Sequence, residues 1–262
     1  ISLQNTASAA IGLKVGANDA STLYAGVLSG LGSLYKIGTG TLTLTGANTY
    51  SGGTFINGGY ISVGANNVLP STQNVTVSAT TPGANAYLVI GSGFSQTLGG
   101  LTFGGSTATA TSTNYVVLNS AGSTLTLGDT VTYLATNNPY GASIYGAGTL
   151  ALGGNRIFDI GDSTADQRDL FISSPISGQG FSLTKTGAGT LTLSGANTYT
   201  GGTTITGGTL ELYNSTLLGD VVNNATLLFF NDTPITYAGN VSGAGTLTKY
   251  WTGTLTLTGT NA

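Results

Sequence analysis

Cysteine, histidine and methionine are all missing from this 262-residue sequence. Without cysteine the chain can form neither a disulfide framework nor a reactive thiol. Without cysteine and histidine, most zinc, copper and haem sites are excluded, because those two residue types supply their ligands. A serine nucleophile would also lack its usual histidine base, and no nucleophile elbow or phosphate-binding glycine loop occurs. We therefore predict no catalytic residue and no cofactor, and a chain that is not an enzyme.

Charged side chains are scarce as well. They make up 6% of the chain, where about 25% is usual, and the net charge is −3. A weakly acidic chain is a poor partner for nucleic acid or for an anionic membrane surface. No apolar run approaches the roughly 20 residues of a membrane-spanning helix, so we expect no membrane insertion of this segment. Because 40% of the residues are apolar and fall in strand-like patterns, the chain is not disordered.

A long internal repeat is the strongest feature that is present. Residues 36–54 read KIGTGTLTLTGANTYSGGT, and residues 185–203 read KTGAGTLTLSGANTYTGGT. A third copy begins at Lys249 as KYWTGTLTLTGTNA, and a degenerate one lies at Tyr145–Gly154. With their flanks, the repeat units fall near 29–63, 177–212 and, in part, 242–262. No composition shift separates them, so residues 1–262 are interpreted as a single elongated domain.

The repeat predicts short strands joined by tight turns. The segment Thr41–Thr45 alternates threonine with leucine, which gives one apolar and one hydroxylated face. Paired glycines at 52–53 and 58–59 permit turns before the next two strands. An antiparallel sandwich would not repeat its strands almost identically, whereas a β-helix covers each coil with the next. We predict an all-β parallel β-helix (β-solenoid) of about a dozen coils, each of roughly 20–25 residues.

The two full copies, GTGTLTLTGANTYSGGT and GAGTLTLSGANTYTGGT, resemble the passenger-associated transport repeat, also called the autotransporter-associated β-strand repeat. The resemblance covers about 70 residues in the full copies, with the partial copies in addition. It implies a right-handed parallel β-helix on a bacterial cell surface or released from it. It also implies a role for the repeat in folding the passenger during secretion. No catalytic residue belongs to this repeat, so none is carried over.

One charged cluster interrupts the neutral sequence. Within NRIFDIGDSTADQRD it comprises Arg156, Asp159, Asp162, Asp166, Arg168 and Asp169. One interpretation is a calcium or carbohydrate site on a protruding loop, formed by the four aspartates. The favoured alternative is a solvated turn with Arg–Asp pairs, because the spacing matches no known ligand loop. No other metal site is expected.

Aromatic and hydroxyl residues raise two further hypotheses. The 13 tyrosines, with Tyr50 and Tyr199 inside the repeat, could form a stripe for stacking sugars, although core packing is favoured. Threonine arrays such as Thr41/Thr43/Thr45 are suggestive of ice binding. They recur several coils apart, which disfavours that interpretation. The sequence offers no explanation for Trp251, which stands in the glycine region of the third copy.

Three non-enzymatic functions are consistent with these observations, all extracellular or at a bacterial cell surface. The first is a structural stalk or scaffold. The second is a subunit of a fibre that assembles head-to-tail through terminal coils, because the third copy stops at Asn261-Ala262 with a strand-competent end. Equally, the rod could continue in a longer polypeptide. The third is an adhesin or glycan-binding module, with host or matrix glycans as partners.

Overall fold

A computed structural model describes residues 1–81, 83–105, 112–136, 140–164 and 166–262. Every strand pair in these ranges that belongs to a sheet is parallel, which confirms the predicted parallel β-helix. Across the described ranges, no helix is long and apolar enough to span a membrane.

The described residues form 28 short strands, numbered here in chain order. The first ten are β1 (Leu13–Val15), β2 (Thr22–Tyr24), β3 (Leu34–Lys36), β4 (Thr41–Leu44), β5 (Thr54–Ile56), β6 (Gly59–Val63), β7 (Val75–Val77), β8 (Ala86–Ile90), β9 (Ser95–Leu98) and β10 (Leu101–Phe103). The next ten are β11 (Asn114–Leu118), β12 (Thr124–Leu127), β13 (Val131–Tyr133), β14 (Ala142–Gly146), β15 (Thr149–Leu152), β16 (Arg156–Ile160), β17 (Leu170–Ile172), β18 (Ile176–Ser177), β19 (Leu183–Thr186) and β20 (Thr190–Leu193). The last eight are β21 (Thr203–Ile205), β22 (Thr209–Tyr213), β23 (Val221–Asn223), β24 (Thr226–Phe230), β25 (Ile235–Tyr237), β26 (Val241–Ser242), β27 (Thr246–Tyr250) and β28 (Leu255–Leu257).

Two long sheets run along the rod. The first sheet has the order β1-β3-β5-β7-β10-β13-β16-β19-β21-β23-β26, and the second has β2-β4-β6-β8-β11-β14-β17-β20-β22-β24-β27. A third sheet, β18-β15-β12-β9, covers the middle coils, and β25 pairs with β28 near the C-terminal end. Eleven strands in each long sheet agree with the expected dozen coils. At about 4.8 Å per step they span roughly 48 Å.

Coil length varies more than the repeat suggests. Coil length is measured here along the chain between paired residues of neighbouring strands. In the first sheet the shortest coil runs from Thr203 to its partner Val221, and the longest runs from Leu101 to Val131. The long coils lie in the middle of the chain, where β9, β12, β15 and β18 add a third strand to each turn. Coils that carry the repeat replace this strand with a corner, which explains why they are shorter.

Strict alternation along each strand builds the core. In β8, residues Ala86, Leu88 and Ile90 are fully buried, while Tyr87 and Val89 between them are half-buried on the outer face. The in-register neighbours in β11, Val116 and Leu118, are also fully buried. Burial of apolar surface stabilises the fold by about 25 cal/mol per Å², so each coil depends on its neighbours to cover its apolar face.

The repeat's asparagine and tyrosine close the corner that replaces the third strand. The Asn48 side chain accepts a hydrogen bond from the Leu28 amide (2.7 Å) and donates to the Val68 carbonyl (2.7 Å), which links three coils. Tyr50 and Tyr199 are fully buried, and the Tyr199 hydroxyl bonds that of Thr203 at 2.7 Å. These two tyrosines therefore serve the core, as the favoured interpretation held.

The third copy of the repeat occupies a different position around the coil. In the first two copies the lysine lies in the first sheet and the TLTL strand lies in the second. In the third copy, Lys249 lies in β27 of the second sheet, and the following TLTL segment forms β28 of the two-stranded sheet. The motif thus specifies a local strand–corner–strand shape, and the preceding coil length decides which sheet it enters.

Candidate functional site

The lysine of the two full copies and of the third copy binds three backbone carbonyl oxygens, an arrangement called here a lysine cage. Lys36 Nζ donates to the carbonyls of residues 37, 38 and 58 at 2.7, 3.1 and 3.2 Å. Lys185 Nζ donates to those of 186, 187 and 207 at 2.7, 3.0 and 3.1 Å. Lys249 Nζ does the same with residues 231, 250 and 251, at 3.2, 2.7 and 2.7 Å. The sequence shows this lysine in three copies and not in the degenerate one at Tyr145–Gly154, but its role becomes visible only from the corner carbonyls.

Burial makes the lysine cage electrostatically unusual. Lys36 and Lys185 are both fully buried. Burial lowers the pKa of Lys185 to about 8, although Asp169 and Asp159 favour its charged form. At neutral pH the ammonium is still protonated, and its three N–H groups are all donated to carbonyls. In this protonated form, which predominates at neutral pH, the nitrogen has no lone pair for nucleophilic or base chemistry, and its N–H groups hold two successive coils together.

The four aspartates of the charged cluster go to different places. Asp162 and Asp159 are exposed, and Asp159 accepts a hydrogen bond from the Thr186 hydroxyl (2.9 Å). Asp166 accepts one from the amide of Arg168 (3.1 Å). Asp169 is buried and accepts from the amides of Ser163 (2.6 Å) and Thr190 (2.7 Å). Among the described residues, no three carboxylates are grouped so that they could hold a metal ion.

The prediction of Arg–Asp pairs is wrong for the described residues. Arg168 pairs instead with Glu211, 43 residues away and two coils further on, at 3.1 Å. Arg156 donates its Nε–H to the Leu127 carbonyl at 2.8 Å. The turn is also not wholly solvated, since Asp169 is buried. The calcium or carbohydrate site at Asp159, Asp162, Asp166 and Asp169 stays a prediction.

We expect Asp169→Asn to lower the free energy of unfolding by about 2 kcal/mol, because an amide presents only one acceptor to two buried N–H groups. Exposed Asp162→Asn is the matched control and should change stability by less than about 0.5 kcal/mol. Urea denaturation of both variants measures the difference. Equal stabilities would show that the two Asp169 bonds contribute little.

A row of tyrosines lies on the outer face of the second sheet. Tyr60, Tyr87 and Tyr115 are in register on successive coils. The first two rings stack with centroids 4.3 Å apart and planes 9° apart, and the next two at 4.9 Å and 19°. Tyr145 meets Tyr115 edge-on at 5.8 Å. Because the rings cover each other's faces, the central face of this stripe is closed to a stacked sugar. The sequence signal for this row is tyrosine at steps of 27 and 28 residues (87 − 60 and 115 − 87).

A cleft of about 390 Å³ adjoins this row along the same sheet, and its lining includes Tyr115, Tyr140, Asp166, Arg168 and Phe171. It brings Asp166 and Arg168 of the charged cluster next to aromatic side chains. The guanidinium carbon of Arg168 also lies 4.9 Å from the centre of the Tyr213 ring. The outer face of the second sheet is thus aromatic over much of its length.

An aromatic cluster occupies the C-terminal part of this face. It consists of Tyr213, Phe230, Tyr250 and Trp251. Phe230 stacks on Tyr250 at 4.7 Å and more loosely on Tyr213 at 6.5 Å. Trp251 lies nearly perpendicular to Tyr213 (4.6 Å, 87°) and Phe230 (5.3 Å, 71°). The sequence shows the substitution at Trp251, but its two ring partners lie on two preceding coils, which the sequence does not reveal.

Comparison with known proteins agrees with the repeat. The passenger-associated-transport-repeat family matches residues 34–63 and 183–212, the two segments that begin with the buried lysine cages. The adhesin BmaC autotransporter of Brucella suis biovar 1 (strain 1330) is 36% identical over 250 residues. That match covers 94% of this chain and 6% of the relative, so the chain spans a small fraction of the relative's length. No solved structure matches the chain. The resemblance expected from the sequence is confirmed.

Proposed function

We propose that this chain, which carries two passenger-associated transport repeats, is a rigid spacer in the passenger of a bacterial surface protein. The observation that carries the proposal is the pair of eleven-stranded parallel sheets, stacked coil on coil along the described chain. A solenoid of this kind extends by a fixed rise for each coil added, so length and direction are set by coil number. Such a rod holds whatever lies beyond it at a fixed distance from its anchor.

The relative's name supports the setting in which the spacer would act. That protein is an autotransporter adhesin, and this chain resembles a segment of it. We therefore propose that the chain acts outside the cell or at the bacterial surface, as part of a protein that takes part in attachment. The proposal assigns the segment no catalytic step, since the cage lysines are held by carbonyls and Asp169 by backbone amides.

Deletion of one whole coil from the full-length surface protein tests the spacer. Removal of residues 75–100 places Leu101 on Thr54, as Val75 is now, and brings Tyr115 onto Tyr60. We expect a folded rod, shorter by about 4.8 Å, with unchanged surface display and attachment. The measurements are antibody labelling of whole cells, protease resistance and attachment counts.

The matched control deletes only residues 75–85, which puts an element of the second sheet into the first. Ala86 and Leu88 then take the inward positions of Val75 and Val77, but the next segment, which begins at Thr97, takes the place of β8 with its faces inverted. Because Thr97 would then point inward and Leu98 outward, we expect lost protease resistance and lost display. If the whole-coil deletion stays folded and displayed but abolishes attachment, the segment is a binding module and the spacer proposal is wrong. If both deletions behave alike, coil register does not govern the fold.

Head-to-tail assembly remains a second candidate. Leu247, Leu255 and Leu257 occupy core-type positions in the last coil but are only partly buried. A further coil would cover them, whether it comes from the same polypeptide or from another copy. Sedimentation of the isolated chain over a range of concentrations distinguishes fibres from monomers.

A further inference from the structure

Trp251 adopts a backbone conformation that a bulky residue rarely takes. Its φ is +71°, in the left-handed region. The equivalent positions in the first two copies are Gly38 and Gly187, with φ of +68° and +75°. Glycine adopts this conformation without steric cost, whereas a non-glycine residue is strained there. The lysine cages of those copies form with glycine, so the third cage does not require tryptophan at this position.

The indole combines perpendicular ring contacts with a large exposed surface. Tyr213 and Phe230 are parallel to within 22°, and Trp251 meets both in T-shaped contacts. Trp251 is 41% exposed, so much of the residue outside these contacts faces solvent. The Tyr60–Tyr87–Tyr115 row, by contrast, presents ring edges.

The ring contacts of Trp251 are with preceding coils. The indole meets Tyr213 of β22 and Phe230 of β24. A further strand of the second sheet would pair with β27 on the side opposite to β24, so it would not displace these contacts.

The surroundings are polar but balanced in charge. Arg168 is paired with Glu211, the Lys249 ammonium is held by carbonyls, and Asp232 is the exposed carboxylate next to the corner. Two cations and two anions leave no net charge to attract a polyanion or a polycation. Tyr250 and Trp251 together expose on the order of 200 Å², well below the ~800 Å² that each partner contributes to a stable protein interface. A neutral ligand about the size of one ring fits both the absence of net charge and the small exposed area.

We propose that the exposed surface of Trp251 is a stacking site for a neutral pyranose sugar of a surface glycan. The flat apolar face of the sugar lies on the indole, and the sugar hydroxyls reach the polar groups around it. This site goes beyond the spacer function, because a rod of the same length would form with glycine at this position.

The single tryptophan makes the test direct, since all indole fluorescence comes from the site. The isolated chain is titrated with neutral hexasaccharides of glucose, galactose, mannose and N-acetylglucosamine, and with polygalacturonate as the charged comparison. We expect a saturable fluorescence change with at least one neutral sugar and none with the polyanion. No saturable change with any of the four neutral sugars overturns the proposal.

Trp251→Gly, with calorimetric titration of the sugar that binds, separates the site from a structural role. We expect affinity to fall at least about tenfold while the circular dichroism spectrum of the folded chain is unchanged, because the lysine cages of the first two copies form with glycine at this position. Tyr60→Ala, on the stacked row of the same sheet, should leave affinity unchanged. Retained binding in Trp251→Gly overturns the proposal. So does concentration-dependent self-association of the chain that this substitution abolishes, because the occupant is then a second copy. The whole-coil deletion test of the spacer is unaffected by any of these results.

Discussion

Lys185→Met is expected to lower the free energy of unfolding by about 1–3 kcal/mol, because three buried carbonyl oxygens lose their donor. Relief from burying the ammonium offsets part of that loss. Methionine keeps the length and apolar stem of lysine, so the change isolates the ammonium. Since a solenoid is stabilised by contacts between neighbouring coils, the damage should be concentrated around residues 183–212. Urea denaturation gives the total effect, and hydrogen exchange of the amides locates it.

Lys14→Met is the matched control, because Lys14 is an exposed residue of β1. We expect it to change stability by less than about 0.5 kcal/mol. Lys36→Met, in the first copy, should repeat the effect of Lys185→Met at the other end of the rod. Equal stabilities of Lys185→Met and Lys14→Met would mean that the cage contributes nothing and that corner packing alone joins the coils.

Above about pH 10 the fold should lose stability steeply, and we expect it to unfold near pH 12. Burial raises the pKa of Tyr50, Tyr133 and Tyr237 to about 12, and it raises the pKa of fully buried Tyr199 further. In the unfolded chain tyrosine titrates near 10. The stability contributed by these protonated phenols is fully present below pH 10 and is lost as pH rises through the folded-state pKa. Four such groups change the free energy of unfolding by roughly 5 kcal/mol per pH unit.

Lys185 acts in the opposite direction at lower pH. Its pKa is lowered to about 8 by burial, against 10.5 as the ordinary value, so the unfolded state binds its proton more tightly. That group alone makes stability rise between about pH 8 and 10.5 and then level off. The collapse above pH 10 therefore belongs to the tyrosines.

Tyrosinate absorbance and circular dichroism, measured together against pH, check this prediction. The four buried tyrosines should ionise together with the loss of β structure. Tyr199→Phe should reduce the slope by about a quarter, because one of four linked protons is removed. Ionisation of these four phenols near pH 10 in a chain that stays folded would contradict the prediction.

Local pattern was sufficient to predict the fold class. Alternation in segments such as Thr41–Leu44, together with a near-identical repeat 149 residues later (185 − 36), predicted stacked parallel coils. The reason is that each strand's inward and outward faces are defined by a period of two, which the sequence displays directly. The handedness of the helix came from the resemblance alone and stays a prediction.

The contacts of the corner residues were harder to predict. Their partners lie on the neighbouring coil, and the number of residues between the two varies from coil to coil. The sequence shows that Lys185 and Asn48 belong to the repeat. It does not show that they bind carbonyls and amides of neighbouring coils. The pairing of Arg168 with Glu211 could not be predicted from local spacing, since 43 residues separate them.

By itself, the sequence determined the parallel β-helix, the burial of the repeat tyrosines and the family resemblance, because each depends on periodicity within or between strands. Only the tertiary structure decided that the third copy sits one face further round the coil, that the outer tyrosines cover each other, and that Trp251 lies on two earlier coils. These outcomes depend on the summed lengths of the intervening coils. Small changes in those lengths rotate a motif around the rod without altering the motif itself. The scarcity of cysteine, histidine and charge set which chemistry the chain could carry, and the stacking of its coils set where the remaining aromatic groups meet.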